Sequence, residues 1–197
     1  MKTIHTITIA LVILLLGTSA SAAARSWEMD KAHSNIYFSV DHIFSKIHGR
    51  FNEFTLETSF DPENLAQSSF NFTIEVDTIN TNITKRDKHL ISDDFFAAGT
   101  YPQIIFKSKR ISAAEDGLYN VAGTLTLKGK DYDLLLPLRL EGIEEHPAKK
   151  GTEVAGFNGM LTIDRLAHGV GSGKFYDMGI VGKEVDIIVS LELLSKR

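Results

Sequence analysis

From Trp27 onward, apolar side chains mostly recur at every second position, and this alternation constrains the chain more than any other feature. Ile36, Phe38, Val40 and His42 share one parity, against Asn35, Tyr37, Ser39 and Asp41 on the other. The same rhythm returns in Phe54, Leu56 and Phe60, in Phe70, Phe72, Ile74 and Val76, and in Ile104 and Phe106. Successive side chains of a strand point to opposite faces, so each run offers one apolar face to a core and one polar face to water. Tyr119, Val121, Leu125 and Leu127 lead through Lys128-Gly129-Lys130 into Tyr132, Leu134, Leu136, Leu138 and Leu140, the pattern of a hairpin. Phe157, Leu161 and Ile163, and then Val185, Ile187, Val189 and Leu191, complete the set.

With a short first strand at Trp27 to Asp30, these runs predict about eight strands joined mostly by short loops, an all-β fold. A closed antiparallel up-and-down barrel is favoured over a two-sheet sandwich because closure removes exposed strand edges. Pro137 lies inside an otherwise good strand and has no amide hydrogen, so that strand is expected to contain a bulge, an unpaired stretch or an edge. One segment breaks the period. Thr84 followed by Asp87 reads as an N-cap with an acidic residue three on, and Leu90, Ile91, Phe95 and Phe96 follow at roughly helical spacing, so a short helix is expected across one end of the sheet.

The first residues form a separate unit. Lys2 precedes an apolar run from Ile7 to Leu16, and the small residues Gly17 to Ala24 come next, the order of a secretory leader with cleavage after Ala22 or Ala24. The run is half the roughly 20 residues that cross a bilayer, and no other stretch of comparable apolarity follows, so the mature chain is expected not to span a membrane. Residues 23–197 then form one exported domain, large enough to bury a core without staples. The chain has no cysteine, which excludes disulfides, thiolate chemistry and Cys-ligated metal. Loss of Lys2 takes the formal net charge from −4 to −5 with both signs interspersed, so no nucleic-acid partner is expected.

The spacing of particular residues is more informative than the pattern. Trp27-x-x-Asp30-x-x-His33-Ser34-x-Ile36-x-Phe38-x-Val40-x-His42 is followed by Gly49-x-Phe51-x-x-Phe54, Arg86-Asp87-x-His89-Leu90 and Asp94-Phe95-Phe96. Tyr101-Pro102-x-Ile104-x-Phe106, Gly123-x-Leu125-Thr126-Leu127-x-Gly129 and Ile163-x-Arg165 with Gly169-Val170 complete the series. Taken in order, it resembles the YceI-like family of bacterial polyisoprenoid-binding proteins across essentially the whole mature chain. The resemblance implies a lipocalin-like barrel in the periplasm whose lumen holds a long amphiphile, an isoprenoid, an isoprenoid quinone or a fatty amide, without a cofactor. Leu166-Ala167-His168 stands where an aromatic residue is expected in the family, a departure that bears on ligand identity rather than fold.

On that reading the ligand-binding set is Ile36, Phe38, Val40, Phe54, Phe72, Ile74, Phe106, Leu125, Leu136, Phe157 and Leu161, with His42 and Arg86 as polar groups for a head group at the rim. Each polar candidate has a structural counterpart: His42 satisfied by water or main chain, Arg86 pinning the short helix, and Arg165 either buried in an ion pair or at the rim. Each buried methylene contributes roughly 0.8 kcal/mol and association costs about 4–15 kcal/mol, so a greasy lumen selects long chains. A metal site is not expected, because the histidines lack paired helical spacing. Gly169 to Phe175 fails as a phosphate loop, since His168 and Phe175 occupy its first Gly and its Ser/Thr positions. No Gly-x-Ser-x-Gly occurs, and an enzyme is not expected. A partner-binding barrel with a filled core, or a lipid-modifying enzyme, remains the alternative, and a homodimer is compatible with an open barrel mouth.

Overall fold

The protein, described here from a computed structural model covering residues 23–196, is one antiparallel sheet closed on itself. The expected leader lies outside the described residues. The strands are β1 (Ser26–Met29), β2 (Asn35–His42), β3 (Ser45–Phe51), β4 (Phe54–Ser59), β5 (Ser69–Glu75), β6 (Ile79–Asn80), β7 (Gln103–Ala113), β8 (Leu118–Leu127), β9 (Lys130–Glu145), β10 (Thr152–Asp164) and β11 (Val181–Lys196). Both β1 and β2 run antiparallel to β11, so they are two halves of one stave bent between Met29 and Asn35. In the same way β3 and β4 form a second bent stave, and β5 and β6 a third. With β7 to β11 these make an eight-stave up-and-down barrel, as the period-two pattern predicts.

The two ends differ in how they are filled. At one end Phe60, Phe70, Tyr119 and Phe157 pack edge to face or tilted, with centroids 5.0–5.9 Å apart and Phe157 fully buried. Edge-to-face rings fill space while pairing positive edges with negative faces, so this end is a solid plug. Trp27 closes it further, donating its indole N–H to the carbonyl oxygen of Phe60 at 3.0 Å. The opposite end carries the β2–β3 and β8–β9 turns, the β10–β11 loop, and the segment 81–102 between β6 and β7.

That segment contains the expected helix, α1 (Thr84–Leu90), with a correction at its start. Ile83, not Thr84, is the cap residue, and no side chain caps the first turn. Asp87 instead reaches back to accept from the amide and hydroxyl of Thr81, fixing the helix to the end of β6. Phe95 and Phe96 lie beyond the helix in the turns that follow it.

Pro137 has its reason in the ladder. The β9–β10 register runs from Glu153 opposite Glu145 to Asn158 opposite Arg139, broken by a bulge after Gly156, and ends there. Pro137 lies just past the last registered pair, where its missing amide costs no ladder hydrogen bond. Toward the open end, residues 130–138 and 159–164 carry no registered pairing with one another, although Gly159 packs closely against Pro137 and Leu138. The rings of Tyr132 and His168 meet at the open end, 4.5 Å apart, on the β9 side and just beyond β10.

Candidate functional site

Inward-facing residues of the open half enclose a cavity of about 180 Å³. Ile36, Phe72, Phe106, Leu125, Leu136 and Val189 line its floor and are buried. Phe38, Val40, Ile74, Leu134, Leu161 and Val185 line its upper wall and are only half-buried, although their parity points them inward. Solvent therefore reaches them through the lumen, and the cavity is open. Leu90, Phe95 and Phe96 from segment 81–102 complete the wall where β6 stops short.

Phe38 is held by its cross-strand partner. It pairs with Gly49 in the β2–β3 ladder, and its ring uses the space left by the missing side chain. Beyond it the ring meets Phe51, centroids 5.8 Å apart, and Phe51 meets Phe96 at 6.2 Å, which ties the segment to the barrel wall.

Among the described residues, Arg165 is the only charged side chain that lines the cavity, and it is 5 % exposed. Its guanidinium donates from Nε to the carbonyl of Gly182 at 2.7 Å, from Nη1 to Val170 at 2.9 Å and from Nη2 to Val181 at 3.3 Å. These three carbonyls hold the two ends of the β10–β11 loop together. No carboxylate forms a salt bridge with it among the described residues. Burial draws its pKa down while the charge of Asp164 opposes the shift. Three of its five guanidinium N–H groups are thus engaged by main chain, and the surface Arg165 shares with the chamber is apolar.

Of the residues expected to bind ligand, Ile36, Phe38, Val40, Phe72, Ile74, Phe106, Leu125, Leu136 and Leu161 surround the cavity. Four lie outside its lining. Phe157 faces inward but belongs to the aromatic plug. Phe54 is buried in the core opposite Ile74. His42 is half-buried at the end of β2, closing the hairpin opposite Ser45. Arg86 donates from Nε to the Thr81 hydroxyl and from Nη2 to the Thr81 carbonyl, both at 2.7 Å, and so fastens α1. Parity separates inside from outside but says nothing of height along the barrel, which is why Phe157 was not separable from Leu161. Phe95, Phe96 and Leu90 carry no strand period and escaped the same reasoning, whereas Arg165, expected in a buried ion pair or at the rim, is buried against three main-chain carbonyls instead.

A second polar group sits at the β1–β2 bend. Asp30, His33 and Glu192 bring donor atoms within 4.8 Å of one another, the constitution of a metal-ligand set, although none lines the cavity. His33 Nδ1 lies 3.1 Å from Asp30, and this hydrogen bond holds the Asp30 carboxyl below its ordinary pKa. Asp30 also accepts from the amide of Ala32 at 3.0 Å, so the trio is accounted for as a stop on the bend.

Comparison with known proteins gives a consistent picture. A family described as the YceI-like domain matches residues 27–193. The protein named YceI of Escherichia coli is 33 % identical over 181 residues, 90 % of this chain and 91 % of that protein. Among solved structures, Burkholderia cenocepacia BcnA superposes with a TM-score of 0.73 at 31 % identity, covering 86 % of this chain and all of that one. A polyisoprenoid-binding domain from Saccharophagus degradans shares the fold at a TM-score of 0.57 and 18 % identity, over 88 % of this chain and 99 % of that one.

Proposed function

This chain belongs to the YceI-like family, and we propose on that premise that it is a non-enzymatic periplasmic carrier holding one long-chain amphiphile in the open half of the barrel. The observation that carries the reading is the contrast between the two ends: one is packed solid with aromatic rings, the other keeps an apolar chamber whose inward side chains are half-buried. Interiors normally pack to crystal-like density, so an apolar chamber reached by solvent is a standing cost unless an apolar guest fills it. A polyprenyl or long acyl chain is such a guest. The chamber wall is apolar throughout, Arg165 meeting it only through apolar surface, so the polar end of such a guest is expected at the open mouth.

The test is extraction of the mature protein, purified from its own compartment, with organic solvent and identification of the extract by mass spectrometry, beside a Leu161→Trp variant that narrows the lumen. A stoichiometric long-chain species, depleted in the folded variant, is the expected result. An extract free of lipid in both, together with failure of the emptied protein to take up any long-chain amphiphile, would contradict it and favour a barrel that acts through its outer surface.

A further inference from the structure

The β2–β3 turn is made from the wrong residues for a turn. His42 pairs with Ser45, so the loop is two residues long, Ile43-Phe44. Ile43 has φ +53, a left-handed conformation that a β-branched side chain rarely adopts and that glycine adopts freely. Phe44 is 102 % exposed, the least sheltered large apolar side chain among the described residues, and Ile43 is 57 % exposed beside it at the tip of a hairpin. The β8–β9 turn at the same end of the barrel has the same length and uses ordinary chemistry, Lys128 and Gly129, both at positive φ. Ile-Phe thus strains the backbone and exposes apolar surface.

The tip is continuous with the cavity mouth. The amide of Ile43 donates to the carbonyl of Ile180 at 3.0 Å, tying it to the β10–β11 loop, which exposes Tyr176 at 43 % and Met178 at 59 %. Val40 and Val181, cavity-lining residues, stand immediately behind the hairpin end. Charges nearby are largely paired among themselves: Lys46 lies 3.0 Å from Asp41 and 3.2 Å from Asp186. No long apolar helix is present among the described residues, so any membrane association made by helices would be interfacial rather than spanning.

We propose that Ile43 and Phe44, flanked by Tyr176 and Met178, insert into the surface of a lipid bilayer and set the cavity mouth against it, so that a long-chain ligand passes between membrane and lumen without crossing water. A projecting wedge of two apolar residues suits the soft acyl boundary of a bilayer, whereas a protein partner would be met by a broader complementary face. The local charge balance predicts binding to neutral bilayers that is insensitive to salt. This inference rests on the carrier reading, and its test separates the two.

The experiment is co-sedimentation of the mature protein with phosphatidylcholine vesicles, with and without phosphatidylglycerol, for wild type and the double variant Ile43→Gly/Phe44→Asn. Gly-Asn suits the turn, so the variant is expected to melt no lower than wild type and to yield the same lipid extract, yet to bind vesicles about tenfold or more weakly. Phe44→Trp is expected to show a blue shift in emission on adding vesicles, against the constant signal of buried Trp27. Vesicle binding unchanged in the double variant would overturn the proposal. So would a wild type that carries lipid but ignores both vesicles, which would assign the tip to a protein partner. An empty extract from a protein that still docks through Phe44 would defeat the carrier reading alone.

Discussion

The ring of Phe38 occupies the space that a side chain on Gly49 would need: a Cβ added there would lie 2.3 Å from Cζ of Phe38 and 2.9 Å from Cγ2 of Thr81. The two residues are direct partners in the β2–β3 ladder, and the pairing sets where the cavity wall stands. Gly49→Ala is expected to drive the ring off this position, costing about 1–3 kcal/mol of stability and reducing ligand uptake. Denaturant unfolding of the single variants and of Gly49→Ala/Phe38→Leu checks it, since the second change removes the clash and should recover part of the loss.

Phe157 belongs to the plug, so its truncation should separate stability from binding. Phe157→Ala is expected to cost about 3–5 kcal/mol while the amount of ligand bound per folded molecule stays unchanged. Comparable loss of binding capacity under conditions where the variant is fully folded would place the plug in the binding site after all.

Arg165 holds three main-chain carbonyls, and its loss leaves them buried without donors. Arg165→Met is expected to destabilise by about 3 kcal/mol, measured by urea unfolding of ligand-free protein. Arg165→Lys retains charge but not the planar fork, and should recover only part of that.

Acid should weaken the fold through a few carboxylates. Hydrogen bonds from His33 hold Asp30 below its ordinary pKa, and those from Thr162 and Lys46 do the same for Asp186. A folded-state pKa below the unfolded one stabilises the fold at pH values above the unfolded value of 3.8, and the contribution is lost as pH falls through the folded value. Stability is therefore expected to be level with respect to these groups near neutrality and to decline below about pH 4. Asp30→Asn should lower stability at neutral pH by no more than about 1 kcal/mol and flatten the acid limb, as read from urea midpoints across pH.

Much of the barrel was legible from alternation alone, because an inward face and an outward face are written into every second residue of Asn35–His42 or Leu118–Leu127. Pro137 correctly signalled an interruption, since a missing amide can be tolerated only where a ladder ends. The cavity was less legible. Leu161 and Phe157 share a strand and a parity, and only the turns and the stave bends decide that one faces open space and the other two aromatic rings. Arg86 could be read from sequence as a head-group contact or as a pin for the short helix, and its guanidinium engages Thr81, five residues away, as the second reading has it. Arg165 lay in a visible motif, yet its place depends on main-chain carbonyls of residues 170, 181 and 182, whose approach no side-chain pattern encodes.

The central claim is that the apolar chamber itself binds the chain of the ligand. Titration of the delipidated mature protein with a homologous series of single-headed amphiphiles of increasing chain length tests it most directly, with Leu161→Trp alongside. Affinity that climbs with each added methylene and levels off once the chamber is filled, with the plateau reached at a shorter chain in Leu161→Trp, is the predicted result. Affinity that ignores chain length, or that Leu161→Trp leaves untouched, would contradict it.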